Sequence, residues 1–242
     1  MGVGARESVK SAPMKLLIVD TSTEWCSAAL SLNGRVLARR ERAEQRHSSL
    51  ILPMVDALLK EAGLALRALD GIGYGAGPGS FTGLRIACAV TQGLALGADL
   101  PVVGVSTLES LAEQSGGERV LALLDARMAE VYWAAYERTG EDWRAVVEPR
   151  LTLPDSVFVP EGTGWVGVGN GFTVLDAAQH AALAAGLARL EEGRMPDAEA
   201  MVPLALRAFA RGDGRDAAEA APIYLRDKVA LTVDERRARR PA

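Results

Sequence analysis

Two stretches of this 242-residue chain follow one pattern: residues 16–32, LLIVDTSTEWCSAALSL, and residues 121–137, LALLDARMAEVYWAAYE. In each, an apolar run ends at an aspartate, Asp20 or Asp125, a polar turn follows, and an alternating segment resumes. Alternation bounded by turn residues is the signature of a half-buried strand. Each unit then turns again, at Asn33-Gly34 or at Thr139-Gly140-Glu141-Asp142, into a third strand-like segment, 35–40 or 143–147. Asn-Gly is the strongest short hairpin signal because both residues tolerate positive φ. Two strand-turn-strand-turn-strand units at a lobe-sized interval predict a duplicated architecture. Pattern alone leaves chance similarity of two β-meanders open.

The remaining segments extend each unit. After strands 15–19, 26–32 and 35–40, residues 48–60 carry a helical stripe of Ile51, Val55, Leu58 and Leu59, widened by Leu50 and Met54. Pro53 belongs to its first turn or kinks it, and Gly63 stops it. A strand at 72–76, a helix at 82–96, a strand at 101–105 and a short helix at 107–114 follow. This β-β-β-α-β-α-β-α order predicts an α/β lobe whose sheet mixes antiparallel and parallel pairs. The second half adds strands at 120–124, 131–137, 143–147 and 165–168, Ala-rich helices at 173–190 and 199–211, and a loop RGDGRD at 211–216. The expected division is a loose N-terminus 1–13, a first lobe 14–116, a second, smaller lobe 117–225 and a charged tail 226–242.

Composition narrows the partners. A 49% hydrophobic content supports substantial cores, and a net charge of −4 gives no global basic field, so any RNA contact is local or shared. The basic end ERRARRPA reads as a solvated tail first and an RNA contact second. No apolar run is long enough to span a membrane, and the first thirteen residues lack the apolar centre of a signal peptide, so a cytoplasmic protein without a membrane partner is expected. Cys26 and Cys88 lie in separate apolar segments, as small core residues do.

The segment GPGSFTGLRI, residues 77–86, joins a strand to a helix where many chains hold a phosphate. A Walker loop needs Gly-Lys-Ser/Thr at its end, and here Gly83 is followed by Leu84. A dinucleotide fingerprint needs Gly-x-Gly-x-x-Gly, and Gly77, Gly79 and Gly83 have the wrong last spacing. What remains is a turn in which Ser80 or Thr82 caps the helix, whose free N–H groups either attract an anion or are satisfied locally. The helix beyond is rich in small residues, Gly83, Ala87, Ala89, Gly93 and Gly97. Each interior glycine costs about 1 kcal/mol relative to alanine, so close packing must recover stability.

The chain resembles the TsaB (YeaZ) family, partner subunits in the threonylcarbamoylation of tRNA adenosine. The resemblance rests on residues 16–30, HSSLILPMVDALL at 47–59, GPGSFTGLRIACAVTQGLAL at 77–96, VVGVSTLESLA at 102–112, LALLDARMAEVYWAAY at 121–136 and PIYLR at 222–226. It implies an actin-like (ASKHA) fold, two lobes each with a mixed β-sheet flanked by helices, and a catalytic paralogue, TsaD. That paralogue holds its metal with the histidines of a His-x-Glu-Gly-His run. The corresponding residues here are Thr107 and Leu111, which do not replace imidazole ligands. Only His47 and His180 remain, in different elements. No catalytic residue, metal or cofactor is therefore expected.

The resemblance further implies docking of the transferase, or of a second copy when the chain is alone, through Ile51, Met54, Val55 and Leu58 on the first helix and Gly83, Ala87, Val90 and Leu94 on the second. It allows a TsaE-like ATPase at that interface and tRNA contact only through the complex. Two alternatives stay open. One is a stand-alone glycoprotease-like hydrolase using Ser80 or Ser106 with His47, and the other is an actin-like ATP-binding enzyme.

Overall fold

A computed structural model describes residues 14–226; the expected loose N-terminus and, apart from Arg226, the expected charged tail lie outside the described residues. The first unit forms β1 (Leu16–Asp20), β2 (Trp25–Leu32) and β3 (Arg35–Arg42), paired antiparallel in sequence order. Asn33 and Gly34 have φ of 49° and 79°, as a two-residue hairpin turn requires. Next come α1 (His47–Ala62), β4 (Gly71–Gly77), α2 (Phe81–Ala98), β5 (Val102–Ser106) and α3 (Thr107–Ser115). Pro53 lies inside α1, and Gly63 ends that helix in the left-handed conformation. The sheet order is β3-β2-β1-β4-β5, with β4 and β5 parallel to β1.

The second unit repeats this plan with β6 (Arg119–Asp125), β7 (Val131–Thr139), β8 (Asp142–Thr152), β9 (Trp165–Gly169), α4 (Ala177–Ala185) and β10 (Arg189–Glu192). Its order, β8-β7-β6-β9-β10, is that of the first sheet strand for strand. The duplication is real at the level of topology. The helix expected across 173–190 is three elements instead: a 3-10 turn at Asn170–Val174, α4, and the edge strand β10. Asp176 and Gln179 form a reciprocal capping box that starts α4 late, and Gly186 follows its end. Pairing with β9, from Arg189↔Val166 to Glu192↔Gly169, then overrides the helical propensity of the following residues.

The last helix, α5 (Ala198–Ala210), crosses back. Its Met201, Val202, Leu204 and Ala205 form one buried cluster with Leu16, Ile18 and Val105 of the first sheet. In exchange, Leu108 and Leu111 of α3 pack with Val120, Ala122 and Val168 of the second. The chain division expected at 116/117 is thus crossed by a helix in each direction. α3 and α5 form the seam between the lobes, where Arg207 bridges Glu113 at 2.9 Å and Asp142 at 3.3 Å.

Candidate functional site

A cleft of about 460 Å³ opens between the lobes. Its lining includes the β1–β2 turn (Ser22, Thr23, Glu24), the glycine loop (Pro78, Gly79, Ser80), the β6–β7 turn (Asp125, Arg127, Met128) and residues 223–226. The glycine loop therefore sits beside the β1–β2 turn and across the cleft from that turn's counterpart in the other lobe, the β6–β7 turn.

The inner side of the loop is tightly packed. Gly83 lies in the first turn of α2, so close to the β1–β2 turn that an added Cβ would stand 1.9 Å from the carbonyl oxygen of Thr21. At Gly79 the same test meets the carbonyl oxygen of Ser22 at 2.5 Å. Ser80 donates its N–H to that Ser22 carbonyl at 2.7 Å, and Thr21 Oγ1 donates to the carbonyl of Gly83 at 2.7 Å. Ser80 Oγ accepts the N–H of Gly83 at 3.3 Å and is the N-cap; Thr82 is exposed in the first turn. Gly77 is closed off by the carbonyl oxygen of Ile223, 2.7 Å from a Cβ built there. Two backbone carbonyls close the inner side of the loop, so Gly77, Gly79, Ser80 and Gly83 make a tight structural turn, while the N–H groups of Phe81 and Thr82 at the start of α2 have no acceptor among the described residues.

The metal-ligand positions of the transferase are equally committed. Thr107 is fully buried and its hydroxyl donates to the carbonyl of Pro78, while Leu111 is fully buried in the core of the second lobe. An alcohol donating to a carbonyl and a hydrocarbon in a core do not fit a metal ion. No group of three His, Cys, Asp or Glu among the described residues could hold one. His47 Nε2 donates to the carbonyl of Thr23 at 2.8 Å, and His180 pairs with Glu192 on the second lobe. Ser106 is the N-cap of α3, accepting the N–H of Glu109 at 3.3 Å. The serines and histidine of the hydrolase alternative are thus each engaged with backbone groups and form no triad.

Asp20 is the one strongly displaced acid beside the cleft. It is fully buried, its Oδ1 accepts the N–H of Ser22 at 3.2 Å, and its Oδ2 has no partner among the described residues. Burial pushes its pKa up to about 6, against the opposing hydrogen bonds of Ser22. The folded carboxyl holds its proton at higher pH than the unfolded one. The stability it contributes is therefore full below the ordinary value of 3.8 and is lost as pH rises through about 6. Asp20→Asn should accordingly stabilise the protein by about 1–3 kcal/mol at pH 8, a gain that closes near pH 4. Denaturant melts of both proteins across that range check it; an unchanged difference at the two ends would contradict it.

Sequence reasoning marked 222–226 only as a family match and missed what the segment 220–226 does. Tyr74 Oη accepts the N–H of Ala221 at 2.9 Å, Ile223 donates its N–H to the carbonyl of Ala76 at 2.7 Å, and the ring of Tyr224 lies 5.5 Å from that of Phe81. Arg226 reaches the other lobe, donating to the carbonyl of Ala126 at 3.1 Å and bridging Glu130 at 2.6 Å. The segment straps the cleft shut at one side. No local pattern announces it, because its partners lie 96 to 147 residues upstream.

The expected docking residues need correction. Ile51, Met54, Val55 and Leu58 are buried in the first lobe's core, as are Gly83 and Ala87. They form the inward faces of α1 and α2. Val90 and Leu94 are only half-buried. What α2 turns outward is Ala89, Gly93, Leu96 and Gly97, with Leu96 64% exposed and nothing within 4 Å of a Cβ built at Gly93 or Gly97. Leu52 on α1 is 48% exposed. Among the described helices, α2 is the one long and apolar enough to cross a membrane, because it is apolar on both its inner and its outer side. Most of the residues expected to dock are thus turned into the core of their own lobe.

Two lobes of one topology, closed around a cleft that a strand-turn and a glycine loop line, define a protein of the actin-like (ASKHA) fold class. The sequence model of the TsaD family, described as tRNA N6-adenosine threonylcarbamoyltransferase, matches residues 39–232. The tRNA threonylcarbamoyladenosine biosynthesis protein TsaB of Escherichia coli K12 is 40% identical over 237 residues, covering 90% of this chain and 96% of the relative. TsaB of Haemophilus influenzae is 35% identical, over 89% and 95%. The crystal structure of YeaZ from Pseudomonas aeruginosa superposes with a TM-score of 0.80 at 41% identity, covering 88% of this chain and all of that one. The chain belongs to the TsaB (YeaZ) family.

Proposed function

We propose that this chain is a non-catalytic subunit in the formation of threonylcarbamoyladenosine in tRNA, and that it acts by docking a catalytic transferase of the TsaD type. The observation that carries the reading is the fate of Thr107 and Leu111. The positions that would hold the transferase's metal are spent on a loop carbonyl and a hydrophobic core. The docking half is supported by α2, whose outer face of Ala89, Gly93 and Gly97 leaves room for another helix to approach its backbone. Apolar surface of this kind, with Leu96 exposed beside it, is left uncovered at the cost of solvation unless a partner covers it.

In this reading the subunit binds the competent form of the transferase and shifts its population toward that form. The same face pairs two copies when no transferase is present, and a TsaE-like ATPase joins at the interface. The transfer of the threonylcarbamoyl group to the exocyclic nitrogen of adenosine belongs to the partner, so tRNA is met only through the complex, in the cytoplasm. The test is reconstitution with the transferase, leaving out each protein in turn and measuring association and tRNA modification. Modification is expected only when both are present. Modification by this chain alone would overturn the reading.

A further inference from the structure

The outer face of α2 carries one charge near each end, and neither is neutralised among the described residues. Arg85 lies in the second turn, its guanidinium 3.8 Å over the ring of Phe81 and its Nε donating to Tyr224 Oη at 3.0 Å. That stacking holds the group over the first turn of the helix, while Nη1 and Nη2 have no acceptor among the described residues. Asp99 is the C-cap and is exposed; its carboxylate has no hydrogen bond and no cation within 4.0 Å among the described residues. Arg67, at the same end, donates to the carbonyl of Gly97 at 3.4 Å instead. Both charges have the sign that the helix macrodipole disfavours, a cation near the N-terminus and an anion at the C-terminus. A partner helix running antiparallel reverses both penalties, because it brings its C-terminal end to Arg85 and its N-terminal end to Asp99.

We propose that two copies of this chain pair α2 against α2, antiparallel about a two-fold axis, with Arg85 of each copy bridging Asp99 of the other; this rests on the reading of the outer face of α2 as a docking face. In such a contact residue i meets j and j meets i. An axis beside Gln92 and Gly93 places Arg85 opposite Asp99 at two sites, about 21 Å apart along the helix. The same register settles the rest of the face. It brings Leu96, 64% exposed, over Ala89, Gly97 over Ile86, and Gly93 against its own copy. A large side chain thus meets a small one, as close helix packing requires. At about 3.6 residues per turn, Arg85, Ala89 and Leu96 fall on one flank of the face and Ile86 and Gly97 on the other, the division an antiparallel two-fold needs. Parallel pairing would set Arg85 against Arg85 and Asp99 against Asp99. Charge therefore fixes direction and register, while apolar contact supplies the area.

The probe is the full chain itself, followed by sedimentation equilibrium at low salt. Arg85→Glu and Asp99→Lys, made separately, should each dimerise at least about tenfold more weakly than the wild type, since each self-pair then holds two like-charge contacts. An equimolar mixture of the two variants should recover the wild-type affinity, because both contacts of the mixed pair are again of opposite sign. A second copy does not mend structure lost around Tyr224, so recovery separates pairing from folding. Wild-type association should also weaken as salt rises. Single variants that dimerise like the wild type, or a mixture that stays weak, overturn the Arg85–Asp99 pair; a monomeric Gly93→Arg protein beside them would leave the docking face itself standing. A wild type that stays monomeric overturns the pairing outright, and a Gly93→Arg protein that dimerises normally removes the face on which it rests.

Discussion

Gly83→Ala is expected to lower the melting temperature by about 10 °C or more, while Gly93→Ala in the same helix raises it by about 2 °C. The backbone at Gly83 is ordinary helix, so the loss has nothing to do with conformational freedom. A methyl group there meets the carbonyl oxygen of Thr21 at 1.9 Å and its carbon at 3.0 Å, and both are buried backbone atoms that have no rotamer to escape into. Overpacking against side chains costs about 1–3 kcal/mol, and a clash with two fixed backbone atoms belongs at or above the top of that range. At Gly93 nothing lies within 4 Å, so alanine only removes the entropic penalty of a helical glycine, about 0.5–1 kcal/mol. Scanning calorimetry of the two variants reads both signs. A Gly83→Ala protein that melts like the wild type would mean that the β1–β2 turn does not occupy the glycine loop.

The contrast between these two glycines explains what was legible in the sequence. The loop and the small-residue helix could be found by composition and spacing, and both exclusions, of a lysine-bearing phosphate loop and of a dinucleotide fingerprint, needed only residues 77–84. That Gly83 is spent inward and Gly93 outward depends on which side of α2 meets β1, and small residues at four-residue spacing give no preferred side. The same ambiguity put Ile51, Val55 and Ala87 on an interface when they belong to the core. A helix with apolar residues all around does not reveal which of its sides its own chain covers.

The strand β10 failed for a different reason. Its four residues, RLEE, carry no strand propensity, and the Ala-rich run before them favours one continuous helix. Yet the duplication already contained the answer. Each lobe places a fifth strand after the helix that follows its fourth, so the counterpart of β5 was due between α4 and α5. The sequence pattern shows the repeat only over its first three strands, where alternation and turn residues mark it. The 220–226 strap, by contrast, has no counterpart signal, since its contacts to Tyr74, Ala76 and Glu130 exist only once both lobes are assembled.

Gly93→Arg and Leu96→Asp, made separately, should each weaken association with the transferase by about a hundredfold while leaving the fold unchanged. Both positions face solvent, so neither substitution buries a charge in the isolated chain. At the centre of a close helix–helix contact, however, an arginine forces the backbones apart, and an aspartate in place of an anchoring leucine is desolvated without a partner. Losses of about 2–4 kcal/mol are usual for such central positions. Analytical ultracentrifugation of the mixture, beside thermal melts of each variant alone, separates binding from folding. The buried positions do not permit that separation: Val55→Asp or Ala87→Glu places a carboxylate in the first lobe's core, where an unpaired charge costs several kcal/mol, and any loss of binding would follow from loss of structure. Undiminished association of both outward-facing variants would therefore remove α2 as the docking face, and with it the physical reason for leaving so apolar a helix half uncovered.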